Sequence, residues 1–260
     1  MNPNAKVMVV DDAAAVRGML RALLNGEGYR VVGDLASGAQ VMTAIEQLDP
    51  AIVCLDYNLP DIDGLELLKQ IHAAHPTVAV VIITGSIDPA LDDAVAEAGA
   101  SGLIRKPFSP DTILREIFQV AHAQQLLVAA TASGMNTLES PRAKAVIADG
   151  SSIMRMLLAA ILAKMEIEVV GEACDGKQAV EMVAAHRPDL VFLDLHMPIM
   201  SGLEALVAIR ARDPDARVMM VSGRSDRDAI LRAGNAGAGG YILKPYQPAK
   251  VIAAIAKLLS

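Results

Sequence analysis

Short unbroken apolar runs punctuate the chain. In the first half they fall at Val7–Val10, Arg30–Val32, Ile52–Leu55, Val78–Ile83 and Gly102–Ile104. Between them, apolar residues recur at helical spacing, as Leu65, Leu68 and Ile71 do. An unbroken run of roughly four to six apolar residues suits a strand buried on both faces, which a helix-covered parallel sheet supplies. Strand and helix alternating five times therefore predict a doubly wound α/β domain with helices on both faces.

The pattern then repeats. KVMVVDD begins at Lys6 and KAVIADG at Lys144, and the same shift carries Asp56 to Asp194, Pro60 to Pro198, Gly64 to Gly202, Thr84 to Ser222 and Lys106 to Lys244. One register held over so many positions is the mark of a duplicated domain. The second copy predicts strands near Ala145–Ala148, Val169–Val170, Leu190–Leu193, Val218–Val221 and Tyr241–Leu243. The last helix of copy one starts after Pro110 and runs to about Ala130, and copy two closes with an amphipathic helix over Pro248–Leu259. The small, polar stretch TASGMNTLES reads as a linker. The expected division is residues 1–130 for the first domain, 131–141 for the linker and 142–260 for the second domain.

Composition narrows the function. The chain has 260 residues, 53% hydrophobic and 20% charged, a folded composition. Only 3% is aromatic, too little for stacking platforms that hold single-stranded nucleic acid. The net charge is −7, its acidic excess lies in the first copy, and neither half carries a basic surplus, so no nucleic-acid partner is expected. The two cysteines, Cys54 and Cys174, form no framework, and Cys54 sits in an apolar run as a small hydrophobe. No apolar stretch approaches the roughly 18 residues that span a bilayer, and MNPNAK has no signal-like core. A cytoplasmic protein without membrane insertion is the expectation.

In an open parallel sheet, ligands gather at the carboxyl ends of the strands. Asp11 and Asp12 follow the first predicted strand, Asp56 the third, Thr84 the fourth and Lys106 the fifth. Three carboxylates brought together repel; at an effective dielectric of 20, two charges about 4 Å apart cost roughly 4 kcal/mol. A hard cation such as Mg²⁺, which takes carboxylate, water and phosphate oxygens, removes that cost. Asp56 is the candidate nucleophile for an acyl phosphate, with the metal and a lysine neutralising the transferring oxygens. Polar residues at strand ends also cap turns and helices, which accounts for one such residue more readily than for five in succession.

VVDD, LDYNLPDIDG, ITGS and RKPF together resemble the signature blocks of response-regulator receiver domains of bacterial two-component signalling (CheY-like), and the resemblance covers nearly the whole chain twice. It implies two flavodoxin-like (βα)5 domains with strand order 2-1-3-4-5. It implies phosphorylation of Asp56 by a sensor histidine kinase or phosphotransfer protein. Mg²⁺ would be held by Asp12 directly, by Asp11 largely through water, by Asp56 and by the Asn58 backbone carbonyl. Thr84 and Lys106 would engage the phosphoryl oxygens, and the Lys106–Pro107 bond would be cis. Apart from its own phosphorylation and dephosphorylation, such a chain is not an enzyme and acts on a downstream protein partner.

Each copy departs from that pattern. Copy two keeps Asp149, Asp194, Ser222 and Lys244, but Gly150 replaces the direct metal ligand. Tolerated drift is one reading; weakened Mg²⁺ binding and poorer phosphorylation of Asp194 is the one expected here. His196 is expected to be an exposed loop residue. Copy one has Leu103 where the family usually carries an aromatic switch residue, which copy two supplies as Tyr241. Met154, Met156, Met219 and Met220 read as core filling. Arg224, Arg227 and Arg232 lie on or before the fourth helix of copy two, a surface suited to partners or simply solvated. The expected role is an adaptor without an output domain, with copy one receiving the phosphoryl group and copy two presenting the partner surface. A phosphate sink, or the receiver portion of a longer regulator, are the alternatives. A haloacid-dehalogenase-type phosphatase would need a second aspartate two residues beyond the nucleophile, where Asn58 and His196 stand.

Overall fold

The computed structural model describes residues 4–132, 143–222 and 227–259. The first repeat runs β1 (Lys6–Val10), α1 (Ala14–Gly26), β2 (Arg30–Leu35), α2 (Val41–Leu48), β3 (Ile52–Asp56), α3 (Gly64–Ala74), β4 (Ala79–Thr84), α4 (Pro89–Glu97), β5 (Gly102–Arg105) and α5 (Pro110–Ala132). The second runs β6 (Ala143–Ala148), α6 (Ser152–Ala163), β7 (Ile167–Ala173), α7 (Gly176–His186), β8 (Leu190–Asp194), α8 (Gly202–Arg212), β9 (Val218–Ser222), α9 (Arg227–Asn235), β10 (Gly240–Leu243) and α10 (Pro248–Leu259). All strands pair in parallel, in the orders β2-β1-β3-β4-β5 and β10-β9-β8-β6-β7. Counted within its own repeat, each sheet has the order 2-1-3-4-5. The chain divides into two compact units, Met1–Gln124 and Gln125–Ser260.

Alternation along the apolar runs explains the layering. In the first unit Val7, Val9, Cys54, Val81 and Ile83 share one core with Leu20 and Leu24 of α1 and with Ile113 and Ile117 of α5. Their neighbours Met8, Val10, Val53, Leu55, Val80 and Ile82 face the other way, onto Val41 and Ile45 of α2, Leu67, Leu68 and Ile71 of α3, and Val95 of α4. One uninterrupted run thus feeds two cores. In the second unit Met219 and Met220 are buried, Met154 is buried on α6 and Met156 is half-buried, which fits their reading as core residues.

The edge strands exceed their sequence expectations. β2 continues to Leu35 and β7 extends over Ile167–Ala173, well beyond Val169–Val170. Both lie at a sheet edge and are half-exposed along most of their length. Polar residues therefore interrupt their apolar runs while the parallel pairing continues, with one register shift in each, at Val7/Met8 and at Ala145/Val146. At the end of copy one, α5 passes Ala130 and is described as far as Ala132. Thr131 and Ala132 interpose no helix breaker, and the rest of the expected linker, residues 133–141, lies outside the described residues. So does Arg224, together with the side chain of Arg227.

Candidate functional site

Strand order creates the site of copy one. β1 and β3 are neighbours at the centre of the sheet, and the chain leaves them for opposite sides, which opens a crevice at their carboxyl ends. Asp11 follows β1, and Asp56 is the last residue of β3. Asp11 is buried; its backbone N–H donates to Leu35 O at 3.1 Å, and its Oδ1 accepts from Ala13 N at 2.8 Å. Arg17 pins the turn from outside, donating to Asp11 O at 2.7 Å and Asp12 O at 3.1 Å while pairing with Asp34 at 2.5 Å. Lys106, just past β5, donates through Nζ to Asp11 Oδ2 at 2.8 Å and to Asp56 Oδ1 at 3.0 Å. Thr84 closes β4, fully buried, and its Oγ1 accepts from Ser86 N at 3.0 Å.

Asp11, exposed Asp12 and Asp56 each place a carboxylate oxygen within 4.8 Å of the others. Burial is the main influence raising the Asp56 carboxyl above its ordinary value; the hydrogen bond from Lys106 opposes it, and the Asp11 charge adds to it. Burial works against the Lys106 ammonium, but its bonds to Asp11 and Asp56 outweigh that and raise its pKa. Three carboxylates facing one lysine leave surplus negative charge, and an all-oxygen donor set fits a hard divalent cation such as Mg²⁺. The acceptor loop is turned tightly back: Gly64 N donates to Tyr57 O at 3.0 Å, Asn58 bridges Asp63, and Asp63 caps α3 by accepting from Leu65 N. A Cβ on Gly64 would lie 2.6 Å from Tyr57 O, so only glycine fits there.

The second unit assembles the same positions into a tighter pocket. Lys244 Nζ lies 2.6 Å from Asp149 Oδ2 and 2.9 Å from Asp194 Oδ2. Its side chain is 8% exposed, against 28% for Lys106. Burial opposes its charge, but Asp149 and Asp194 more than compensate and push its pKa upward. The Asp194 carboxyl is raised to about 6, by burial above all, with Lys244 opposing the shift and the Asp149 charge adding to it. Ser222 is fully buried at the end of β9. Gly150 leaves no third carboxylate, and among the described residues no acidic trio forms here. Yet a Cβ at Gly150 would meet only Pro198 Cδ at 3.8 Å and Cys174 O at 3.9 Å, ordinary contacts.

All five strand-end residues of copy one converge as the sequence suggests, as do Asp149, Asp194, Ser222 and Lys244 in copy two. His196 is exposed, close enough for its charge to lower the Asp194 carboxyl slightly against the other influences. Leu103 and Tyr241 are each half-buried against their cores. The Lys106–Pro107 and Lys244–Pro245 bonds are both cis. Two residues escaped the sequence reading. Arg105 donates to Ser86 O and to Asp92 Oδ1. Tyr246, where copy one has Phe108, is wholly buried beside the pocket, and burial and then Asp149 push its phenol well above its ordinary pKa. Both lie inside motifs, RKPF and LKPY, whose lysine drew the attention.

Comparison with known proteins assigns the family. The model of the response regulator receiver domain matches residues 7–118 and again 145–256. The chemotaxis protein CheY of Thermotoga maritima is 37% identical over 115 residues, covering 44% of this chain and 96% of that protein. CheY of Bacillus subtilis is 43% identical over the same length and coverage. A crystal structure of the CheX-CheY-BeF3-Mg²⁺ complex from Borrelia burgdorferi matches at 28% identity and a TM-score of 0.46, covering 49% of this chain and 97% of that one. With two matched segments taking up most of its length, the chain belongs to the response regulator receiver domain family of two-component signalling, as two receivers in tandem.

Proposed function

We propose that the first receiver accepts a phosphoryl group on Asp56 from the phosphohistidine of a sensor histidine kinase or phosphotransfer protein, and that the chain signals onward by protein–protein contact. The observation that carries this reading is the meeting of Asp11, Asp12 and Asp56 with Lys106 at 3.0 Å from the acceptor oxygen. An Asp56 carboxylate oxygen attacks phosphorus, the P–N bond to the donor histidine breaks, and the imidazole keeps that electron pair. Asp11, Asp12 and Asp56, with the Asn58 carbonyl, would hold Mg²⁺, which supplies charge neutralisation for the transferring oxygens. Lys106 turns from the carboxylates to a phosphoryl oxygen, and the Thr84 hydroxyl donates to another.

Downstream contact falls to the second receiver, with Tyr241 as its switch position. It exposes Leu231 on α9, Leu243 on β10 and Ile252 on α10, whereas copy one has Asp93, Arg105 and Leu114 there. In this division Asp194 takes phosphoryl groups less readily than Asp56. The chain works as a cytoplasmic adaptor.

The test is intact-mass analysis of the whole chain after exposure to acetyl phosphate with Mg²⁺, beside the Asp56→Asn and Asp194→Asn variants. Asp56→Asn should remove most of the added phosphoryl mass, and chelation of Mg²⁺ should do the same. A full equivalent retained by Asp56→Asn refutes the assignment.

A further inference from the structure

β5 offers two adjacent cationic side chains to two different places. Lys106 reaches Asp11 and Asp56 in the pocket. Arg105, one residue earlier, reaches across the loop between β4 and α4: Nη1 donates to Ser86 O, and Nη2 donates to Asp92 Oδ1 at 2.5 Å. That loop begins at Thr84 and is stitched residue by residue. Ser86 N donates to Thr84 Oγ1 at 3.0 Å, Asp88 N to Ser86 Oγ at 3.2 Å, and Ala90 N to Asp88 Oδ1 at 3.0 Å, where Asp88 caps α4. The ladder also joins the strands, because Lys106 N donates to Thr84 O at 2.6 Å.

We infer that Arg105 is a positioning residue: it clamps the loop carrying Thr84 to the strand carrying Lys106, so the two phosphoryl-binding groups move as one body. The inference rests on the reading of Asp56 as phosphoacceptor and adds the element that governs how long the phosphoryl group survives there. The guanidinium has the geometry for this, since its planar fork holds a carbonyl and a carboxylate through two separate nitrogens in a fixed relation. Both partners are 35% exposed, so the clamp is loose enough to open. The second receiver has no such clamp, because Leu243 and Ile230 replace Arg105 and Asp92. With Leu103 at the usual aromatic switch position, copy one thus reports its state through an ionic latch two residues further along the same strand.

Opening the latch frees Ser86 and the first turn of α4, lets Thr84 depart from Lys106 and admits water to the acyl phosphate. The experiment uses the full chain with Arg105→Met, Asp92→Asn and Arg105→Lys. Amide exchange over residues 86–92 is measured without phosphodonor. The lifetime of the acyl phosphate on the Asp56 peptide is measured after trapping by borohydride reduction. Arg105→Met and Asp92→Asn should each speed exchange in that segment and shorten the lifetime by roughly five- to tenfold, as loss of a partly exposed charged hydrogen bond implies. Arg105→Lys should recover part of both effects, and Mg²⁺ affinity should stay as in the parent chain. Unchanged exchange and lifetime in Arg105→Met, or a longer lifetime, overturns the inference while leaving Asp56 as acceptor. Absence of any acyl phosphate in the parent chain overturns both readings.

Discussion

The two receivers hold the same lysine–aspartate geometry with different charge. In the first, Lys106 spans Asp11 and Asp56 at 2.8 and 3.0 Å while Asp12 adds a third carboxylate, so one positive charge faces three negative ones. In the second, Lys244 spans Asp149 and Asp194 at 2.6 and 2.9 Å with Gly150 in place of the third. The first pocket needs a further cation to balance it. The second comes closer to neutralising itself and draws its lysine deeper. A single side chain at the end of the first strand thus changes what the pocket demands, although the backbone around it is shared.

The sharpest separation of the two is in pH. The Asp194 carboxyl lies near 6, so it should lose its nucleophilic form about tenfold for each pH unit below that value. Phosphoryl uptake at Asp194 should therefore collapse between pH 6 and 5. The sign for stability follows from the same shift. The folded state holds this proton more tightly than the unfolded chain, so Asp194 adds stability in acid and withdraws it as pH rises from about 4 to 6. A carboxyl-carbon NMR titration of the full chain checks both statements; a midpoint below 4.5 for Asp194 contradicts them.

Restoring the missing ligand should bring the receivers together. Gly150→Asp places a Cβ in ordinary contact with Pro198 and Cys174, so the carboxylate can be carried without disturbing the loop. Mg²⁺ affinity of the second pocket should rise by at least about tenfold, the lower end of what supporting groups around a metal contribute. Calorimetric titration of the full chain, parent against variant, reads this as a second strong site. If the parent already shows two sites of equal affinity, the asymmetry between the pockets is refuted.

The smallest effect probes what the copies share. α2 and α7 both end on a non-glycine residue in the left-handed region, Asp49 at φ 49° and Arg187 at φ 44°. Glycine at either position should raise stability by about 0.5–1 kcal/mol, read as a shift in the denaturation midpoint. The gain at Asp49 should be the lesser, because that substitution also removes its 3.3 Å pair with Lys6, an exposed bridge worth little but not nothing.

Legibility in the sequence followed burial. The central strands announced themselves because residues such as Ile52, Val53, Cys54 and Leu55 are apolar toward both cores. β7 hid most of its length because Glu168, Gly171 and Glu172 break the apolar run at an edge that water reaches. Asp11, Asp56, Thr84 and Lys106 were legible because strand ends in a parallel sheet converge by topology. Arg105 was not, since its partners Ser86 and Asp92 are set by a loop conformation that no periodicity encodes. Tyr246 looked like a conservative exchange for Phe108, and only its burial beside Asp149 and Lys244 gives the hydroxyl a chemical setting.

The glycines after the acceptor strands carry a mechanical consequence. A Cβ on Gly202 would lie 2.0 Å from the carbonyl oxygen of Asp194 itself, as one on Gly64 would crowd Tyr57 O. Helix and acceptor loop are jammed together with no slack between them, so the floor beneath each aspartate behaves as an anvil. Under the proposed phosphorylation, movement would be directed to the opposite wall, through Thr84 and Lys106 in one receiver and Ser222 and Lys244 in the other. A glycine that makes no contact with the reacting atoms would therefore set which wall of the pocket is free to shift.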